Sequence, residues 1–464
     1  MPTRISQTRQ NLRTCSLDGI LATPWSIVSL PGSFLIASLL NVYFQVGPFW
    51  FGVIVSMPAF ANALSILLVP WVGRFLNVRE MTLTVSLMNC GIWLSGVLAM
   101  ALIPLNSSYR VGVFFAGFYL LLAFTNALVG VGWTTWVPGF IPDRIRGRYM
   151  AGRNVLTNYS TLAFMLLALL LLHFFEEQRW LYLLLISLAL LGRIASVLMQ
   201  HRIRSKDPTG GRVCSDTWAK DVWSIRRERP LMRYILFATL AGCSMAFAGA
   251  TATLYAFSLL RVTPAELTAF SIVATLAGTA SVRIWGELID RHGSLPVLVI
   301  CAIGWRLGDI GWLILTEETK YGLFAVWAWG GAIGTGYVLA NFILLLKLVP
   351  AHNRSAGISL HLTVVSTFAA IAPIMAGWWL ENAAGLDISP WPLYRVTLAV
   401  GFAGCVLSLL ALTGMHEPKT HPDRNTVMGA LRTLRQLSVN QGLAFWGNAT
   451  FVVRRKRKDE VKVR

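Results

Sequence analysis

Pro142-Asp143-Arg144-Ile145-Arg146-Gly147 separates two apolar runs, and Pro350-Ala351-His352-Asn353-Arg354-Ser355 separates another two. The spacing from proline to arginine is the same, at an offset of 208 residues. A second pair of hinges follows suit. Gly73-Arg74-Phe75-Leu76-Asn77 closes one apolar run and Gly286-Glu287-Leu288-Ile289-Asp290-Arg291-His292-Gly293 closes another, at an offset of 213. The chain therefore reads as a tandem duplication, and a fixed internal period is read before any local feature. In a membrane protein such repeats point to two halves that rock about a central site.

The rest of the composition fits a membrane chain. Of 464 residues, 55% are hydrophobic and only 13% charged, too apolar for a soluble enzyme. A helix needs about 20 predominantly apolar residues to cross the hydrocarbon core. Twelve such runs are expected, beginning near Leu21, Phe49, Met81, Gly112, Val155, Trp180, Tyr234, Leu267, Leu295, Gly322, Ser355 and Leu393. Backbone groups in lipid must be satisfied within their own segment, so runs this long are helices and not barrel strands. The expected fold is all-α and integral to the membrane, with twelve spans in two six-helix bundles. The expected domains are 1–200 for the first bundle, 201–233 for a basic linker, 234–415 for the second bundle and 416–464 for a basic tail.

Charge placement sets the orientation. The net charge is +19, but a nucleic-acid partner requires that charge on one folded face, and here it lies in loops and tails. Thirty-two of the 40 Lys and Arg fall on the side of the two tails and the central linker, and five fall opposite. By the positive-inside rule both termini are cytoplasmic, in a multi-pass protein of the cell (inner) membrane. The cysteines form no disulfide framework and no CxxC metal site, so no metal is expected. After His416, a basic amphipathic helix through Val427, Leu431, Leu434 and Leu437 suits an anionic leaflet. A disordered basic tail ending in Arg454-Arg455-Lys456-Arg457-Lys458 suits the composition equally.

The Gly286 to Gly293 hinge resembles the signature of the major facilitator superfamily. That signature reads Gly-x-Leu-x-Asp-Arg-x-Gly and is met here at Gly286, Leu288, Asp290, Arg291 and Gly293. The first-half copy is degraded, with Gly73 and Phe75 retained, Asn77 in place of the aspartate and no following glycine. The Arg146 hinge and its echo at Arg354 also resemble that family. The resemblance implies a carrier working by alternating access. It also implies that the hinge contacts stabilise the outward-open state, with Gly286 letting helix ends approach and Asp290 facing a positive helix end or an arginine.

Ionisable residues within spans are functional candidates by default. Arg306 and Asp309 are three apart in span 9 and can pair on one helical face; the resemblance makes span 9 a peripheral support, which favours a structural role. Arg193 is expected to snorkel to the near end of span 6. His173 and His361 are lone histidines, His361 being a candidate proton carrier.

The resemblance makes spans 1, 4, 7 and 10 line the cavity. In span 4, Tyr119, Asn126 and Trp133 recur every seven residues on one face. The 208 offset carries them to Trp327, Gly334 and Asn341 in span 10, where Tyr337 joins them. Span 1 adds Asn41 and Gln45, and span 7 adds Thr239, Ser244, Thr251 and Tyr255. Amide and aromatic groups on two repeat-related faces suit a solute site as well as helix packing. No charge falls in the middle of these four spans, so a neutral small-molecule solute is expected. Coupling to a proton or sodium, if present, falls to Asp309, Glu287 or His361; no cofactor is expected. Membrane lipid is the other partner, and the chain is expected to be a monomer. No HExxH, GxSxG or P-loop occurs, so no catalytic residues are assigned and an enzyme is not expected. The rival reading is a carrier-like chain that signals or scaffolds without moving solute.

Overall fold

A computed structural model describes residues 4–72, 75–102, 107–141, 143–175, 178–203, 223–350, 354–383, 389–415, 417 and 427–434. The described residues are helical and contain no strand. Span 1 comes in two pieces, Arg4–Val28 and Phe34–Tyr43. Spans 2 to 6 are Pro48–Val72, Val78–Leu102, Ser108–Phe140, Asp143–Phe174 and Arg179–Arg202. Spans 7 to 12 are Arg229–Ser258, Pro264–His292, Ser294–Ile314, Leu323–Leu348, Arg354–Ala383 and Pro390–Ser408. Among the described residues ten helices are long and apolar enough to cross a membrane; Phe34–Tyr43 and Pro48–Leu64 are shorter apolar helices. The chain is a multi-pass membrane protein.

The duplication is visible in what packs on what. In the first half, span 1 packs on spans 5 and 6, span 3 on spans 4 and 6, and span 2 on span 4. In the second, span 7 packs on spans 11 and 12, span 9 on spans 10 and 12, and span 8 on span 10. Each first-half pair thus has its counterpart six spans later. The two main contacts between halves, span 2 with span 11 and span 5 with span 8, are themselves exchanged by the same shift.

The beginning of Arg4–Val28 lies at what we term the tail end of the bundle, together with Phe140, Asp143, His292 and Arg354. The opposite, far end is closed by the crossing of spans 2 and 11, where two glycines permit backbone contact. A Cβ on Gly52 would lie 2.1 Å from the Pro373 carbonyl oxygen, and one on Gly377 would lie 2.2 Å from that of Pro48. The Glu381 carboxylate then accepts the Phe49 N–H at 2.9 Å, at the positive N-terminal end of span 2.

The break in span 1 corrects the expectation of one continuous helix starting near Leu21. Helix begins at Arg4 and stops at Val28, and Ser29-Leu30-Pro31-Gly32-Ser33 runs through a turn. Proline has no N–H and its ring collides with the preceding turn, so Pro31 ends the hydrogen-bond ladder. The carbonyl oxygen of Val28, freed by the break, accepts the Tyr119 hydroxyl at 3.2 Å. Beyond the break, Leu39–Tyr43 forms a π turn that ends near Gln45, whose φ is 47°.

Two further expectations shift. A Cβ on Gly286 would meet nothing within 4 Å, so no close approach is made there; the glycine that the hinge requires is Gly293, at φ 89°. Of the tail, 427–434 is helical and docks by Ala430 and Leu434, leaving Val427 and Leu431 exposed. The Thr433 hydroxyl meets His292 Nε2 at 2.7 Å.

Candidate functional site

A chamber of about 720 Å³ occupies the tail-end half of the bundle, within the range of small-molecule sites. Its walls come from span 1 (Asp18, Trp25, Ser29), span 2 (Asn62), span 4 (Asn126, Trp133), span 5 (Arg153) and span 6 (Arg193, Gln200). The second half contributes Leu362. Ser26, Leu30, Gly130 and Thr134 on the same walls are exposed. A second cavity of about 390 Å³ lies beyond the break at the seam of the halves, lined by Gly32, Phe34, Phe51, Gly249, Thr253 and Trp327 among others. Leu30 faces the chamber and Gly32 the second cavity, so the Ser29 to Ser33 turn divides them.

The chamber is charged, which corrects the expectation of an uncharged cavity. Asp18 is 2% exposed. Its carboxylate accepts the Ser196 hydroxyl at 2.7 Å and the Gln200 amide at 2.9 Å, and it lies 3.7 Å from the Arg153 guanidinium. Arg153 also donates from Nε to the Cys15 carbonyl at 3.1 Å and lies over the Trp133 ring at 4.7 Å. Arg193 donates to the hydroxyls of Ser196 at 3.3 Å and Ser86 at 3.0 Å, and lies over Trp25 at 4.6 Å. It is 3% exposed, so it is not a snorkelling anchor.

The residues singled out in the sequence divide sharply. Asn126 and Trp133 are on the chamber wall, and Asn126 accepts the Asn89 amide at 3.0 Å. Trp327 is on the second cavity, and its indole nitrogen has no partner among the described residues. Tyr119 is 1% exposed within the aromatic core and touches neither cavity. Asn41 bonds its own helix at the Ala37 carbonyl, and Gln45 is exposed; neither lines either cavity. Tyr337 packs on Trp305, and Asn341 accepts the Tyr234 hydroxyl at 2.8 Å. Arg306 and Asp309 pair at 2.8 Å. Glu287 pairs with Arg283 at 3.2 Å, and His361 stacks on Tyr234 at 5.4 Å. His173 is exposed in the last turn of span 5.

At the hinges, Asn77 directly precedes span 3, and its N–H reaches the Glu80 carboxylate at 3.4 Å. Asp290 and Arg291 are exposed, and Asp290 has no partner among the described residues. Gly73 and the side chains of Arg146 and Arg354 lie outside the described residues. No group of three or more His, Cys, Asp or Glu able to hold a metal occurs among the described residues.

No family model matches the chain, and no curated protein is similar to it in sequence. Solved structures are similar in fold. The nucleoside transporter NupG covers 88% of this chain and 99% of its own, at 12% identity and a TM-score of 0.64. A bacterial homologue of the iron transporter ferroportin in an inward-facing state covers 89% and 98%, at 14% identity and 0.63. A D-xylose-proton symporter covers 88% and 98%, at 12% identity and 0.63. At these identities what is shared is the architecture: the fold is that of the major facilitator transporters.

Proposed function

We propose that this chain is a secondary carrier that moves a small solute by alternating access, and that the chamber is its solute site. One observation carries the reading: two halves with duplicated packing enclose a chamber at one end while their crossing seals the other. With the basic tails and linker in the cytoplasm, the chamber faces the cytoplasm and the seal faces outward. Fold neighbours described as nucleoside and D-xylose transporters support a carrier of small solutes.

Uptake into vesicles reconstituted with the full chain tests the reading, across sugars, nucleosides, amino acids and organic acids, with and without a proton gradient. Trp133→Ala is expected to lower any uptake that the native chain shows by roughly tenfold. A flat result for a folded native chain favours the non-transporting alternative.

A further inference from the structure

The charged groups on the chamber wall do not balance. Two arginines, Arg153 and Arg193, face it with one carboxylate, Asp18. Asp18 is committed to Arg153, Ser196 and Gln200. Arg193 is left with two serine hydroxyls and the face of Trp25. Among the described residues no carboxylate lies within 4.0 Å of it, and its Nε has no hydrogen-bond partner. A guanidinium this deeply buried is costly unless something of opposite charge meets it. The Ser196 hydroxyl donates to Asp18 and accepts from Arg193, so the two sites form one network with a surplus of one positive charge.

Resting on the carrier reading above, we propose that the solute is a monovalent organic carboxylate and that Arg193 is its counter-ion. A guanidinium presents parallel N–H donors that match a carboxylate. One excess positive charge is balanced by one negative charge, and a dianion would overshoot it. The apolar lining of the same chamber, including Ala22, Ala123, Ala127, Val129 and Leu362, suits an apolar body of modest size. The three charged residues come from spans 1, 5 and 6 of one half, so the anion would be held by the first half alone.

The test uses the full chain in neutral-lipid nanodiscs and isosteric pairs of probes: phenylacetate with phenylacetamide, and hexanoate with hexanamide. Binding is read by thermal shift and by quenching of tryptophan fluorescence. The carboxylates are expected to raise the melting temperature and the amides are not, since only a ligand of the folded state stabilises it. Arg193→Gln is expected to weaken carboxylate binding by at least roughly tenfold. Asp18→Asn is expected to tighten it, because the competing carboxylate is gone, and phenylacetate is expected to restore part of the stability that this variant loses. If Arg193→Gln does not fold, Arg193→Lys, which keeps the charge and loses the fork, and Asp18→Asn decide the matter. Amides that bind as well as carboxylates, in a manner sensitive to Trp133→Ala, overturn the anion assignment and leave the carrier reading standing. Unchanged carboxylate affinity in Arg193→Gln overturns it too. No binding by any probe to the folded chain overturns the anion assignment, and the carrier reading is then decided by the uptake panel alone.

Discussion

The two halves share one packing plan and differ in what they do with charge. Arg153 and Trp133 in the first half correspond, at the 208 offset, to His361 and Asn341 in the second. In the first half the arginine lies over the tryptophan at 4.7 Å, on the chamber wall. In the second, His361 stacks on Tyr234, whose hydroxyl donates to Asn341, and His361 and Asn341 line neither cavity. Charge in the second half is self-contained: Arg306 and Asp309 form a pair of zero net charge away from the chamber. The helix contacts are thus shared between the halves, while the polar groups at equivalent places differ, and the charged wall of the chamber belongs to one half.

The comparison breaks first on stability. Asp18→Ala leaves Arg153 without its carboxylate partner and takes the one negative charge out of the network that Arg193 shares, and removing one member of a buried charge network costs about 3–5 kcal/mol. Asn341→Ala in the second half removes one neutral hydrogen bond and is expected to cost about 1 kcal/mol. Thermal unfolding of both variants in nanodiscs checks this ranking. Equal losses would mean that the halves are not divided as described.

The seal that joins the halves comes next. Gly52 and Gly377 touch backbone across it, at positions where a Cβ would lie 2.1 and 2.2 Å from a carbonyl oxygen. Gly377→Leu is expected to cost the closed far end about 1–3 kcal/mol, as overpacking does. Populations then shift towards the state open at the far end. Labelling of Thr253→Cys by an impermeant maleimide from the far side is expected to rise in the Gly377→Leu background. If labelling is unchanged, the span 2 and span 11 crossing is not the gate.

A smaller effect separates the two equivalent positions themselves. Trp133→Ala removes a cation–π contact to Arg153 of about 1–2 kcal/mol and should lower uptake accordingly. Asn341→Ala should change uptake less than threefold, or roughly 0.6 kcal/mol. An effect of Asn341→Ala as large as that of Trp133→Ala would restore a symmetric site.

Much of this architecture was legible in the sequence, because apolar length and hinge punctuation are set by the bilayer and by backbone chemistry. The site was legible only in part. Asn126 and Trp133 emerged from helical spacing, but Asp18 and Arg153 did not, and the reason is physical. A span is found by its freedom from charge, so an edge drawn near Leu21 or Val155 places the nearest charged residue in a loop. In the folded chain the helix of span 1 starts at Arg4 and that of span 5 at Asp143. Asp18 and Arg153 are therefore well inside the bundle. The proline at 142 is the available sequence signal, since a helix that starts just after it places Arg153 about three turns in. Arg193 is legible as a charge within a span, but its burial depends on the chamber beside it, which span boundaries do not reveal.

The weakest expected effect lies outside the spans, at the tail end of the second half. Glu417 is 5% exposed. It accepts the Ser294 hydroxyl and the Leu295 N–H, both at 2.9 Å, at the N-terminal end of span 9, and it pairs with Lys347 of span 10. Burial works to raise its pKa, but Lys347 and the donors of Leu295 and Ser294 outweigh burial, and the carboxyl is held below its ordinary value of 4.5. A depressed folded pKa stabilises above the unfolded pKa and loses that contribution as pH falls through the folded one. Native protein should therefore lose about 1 kcal/mol more than Glu417→Gln on acidification from about pH 5 to well below 4.5. Above pH 5 the gap between the two should be flat. A gap that opens instead near neutrality would mean that Glu417 does not carry the pH response of this junction.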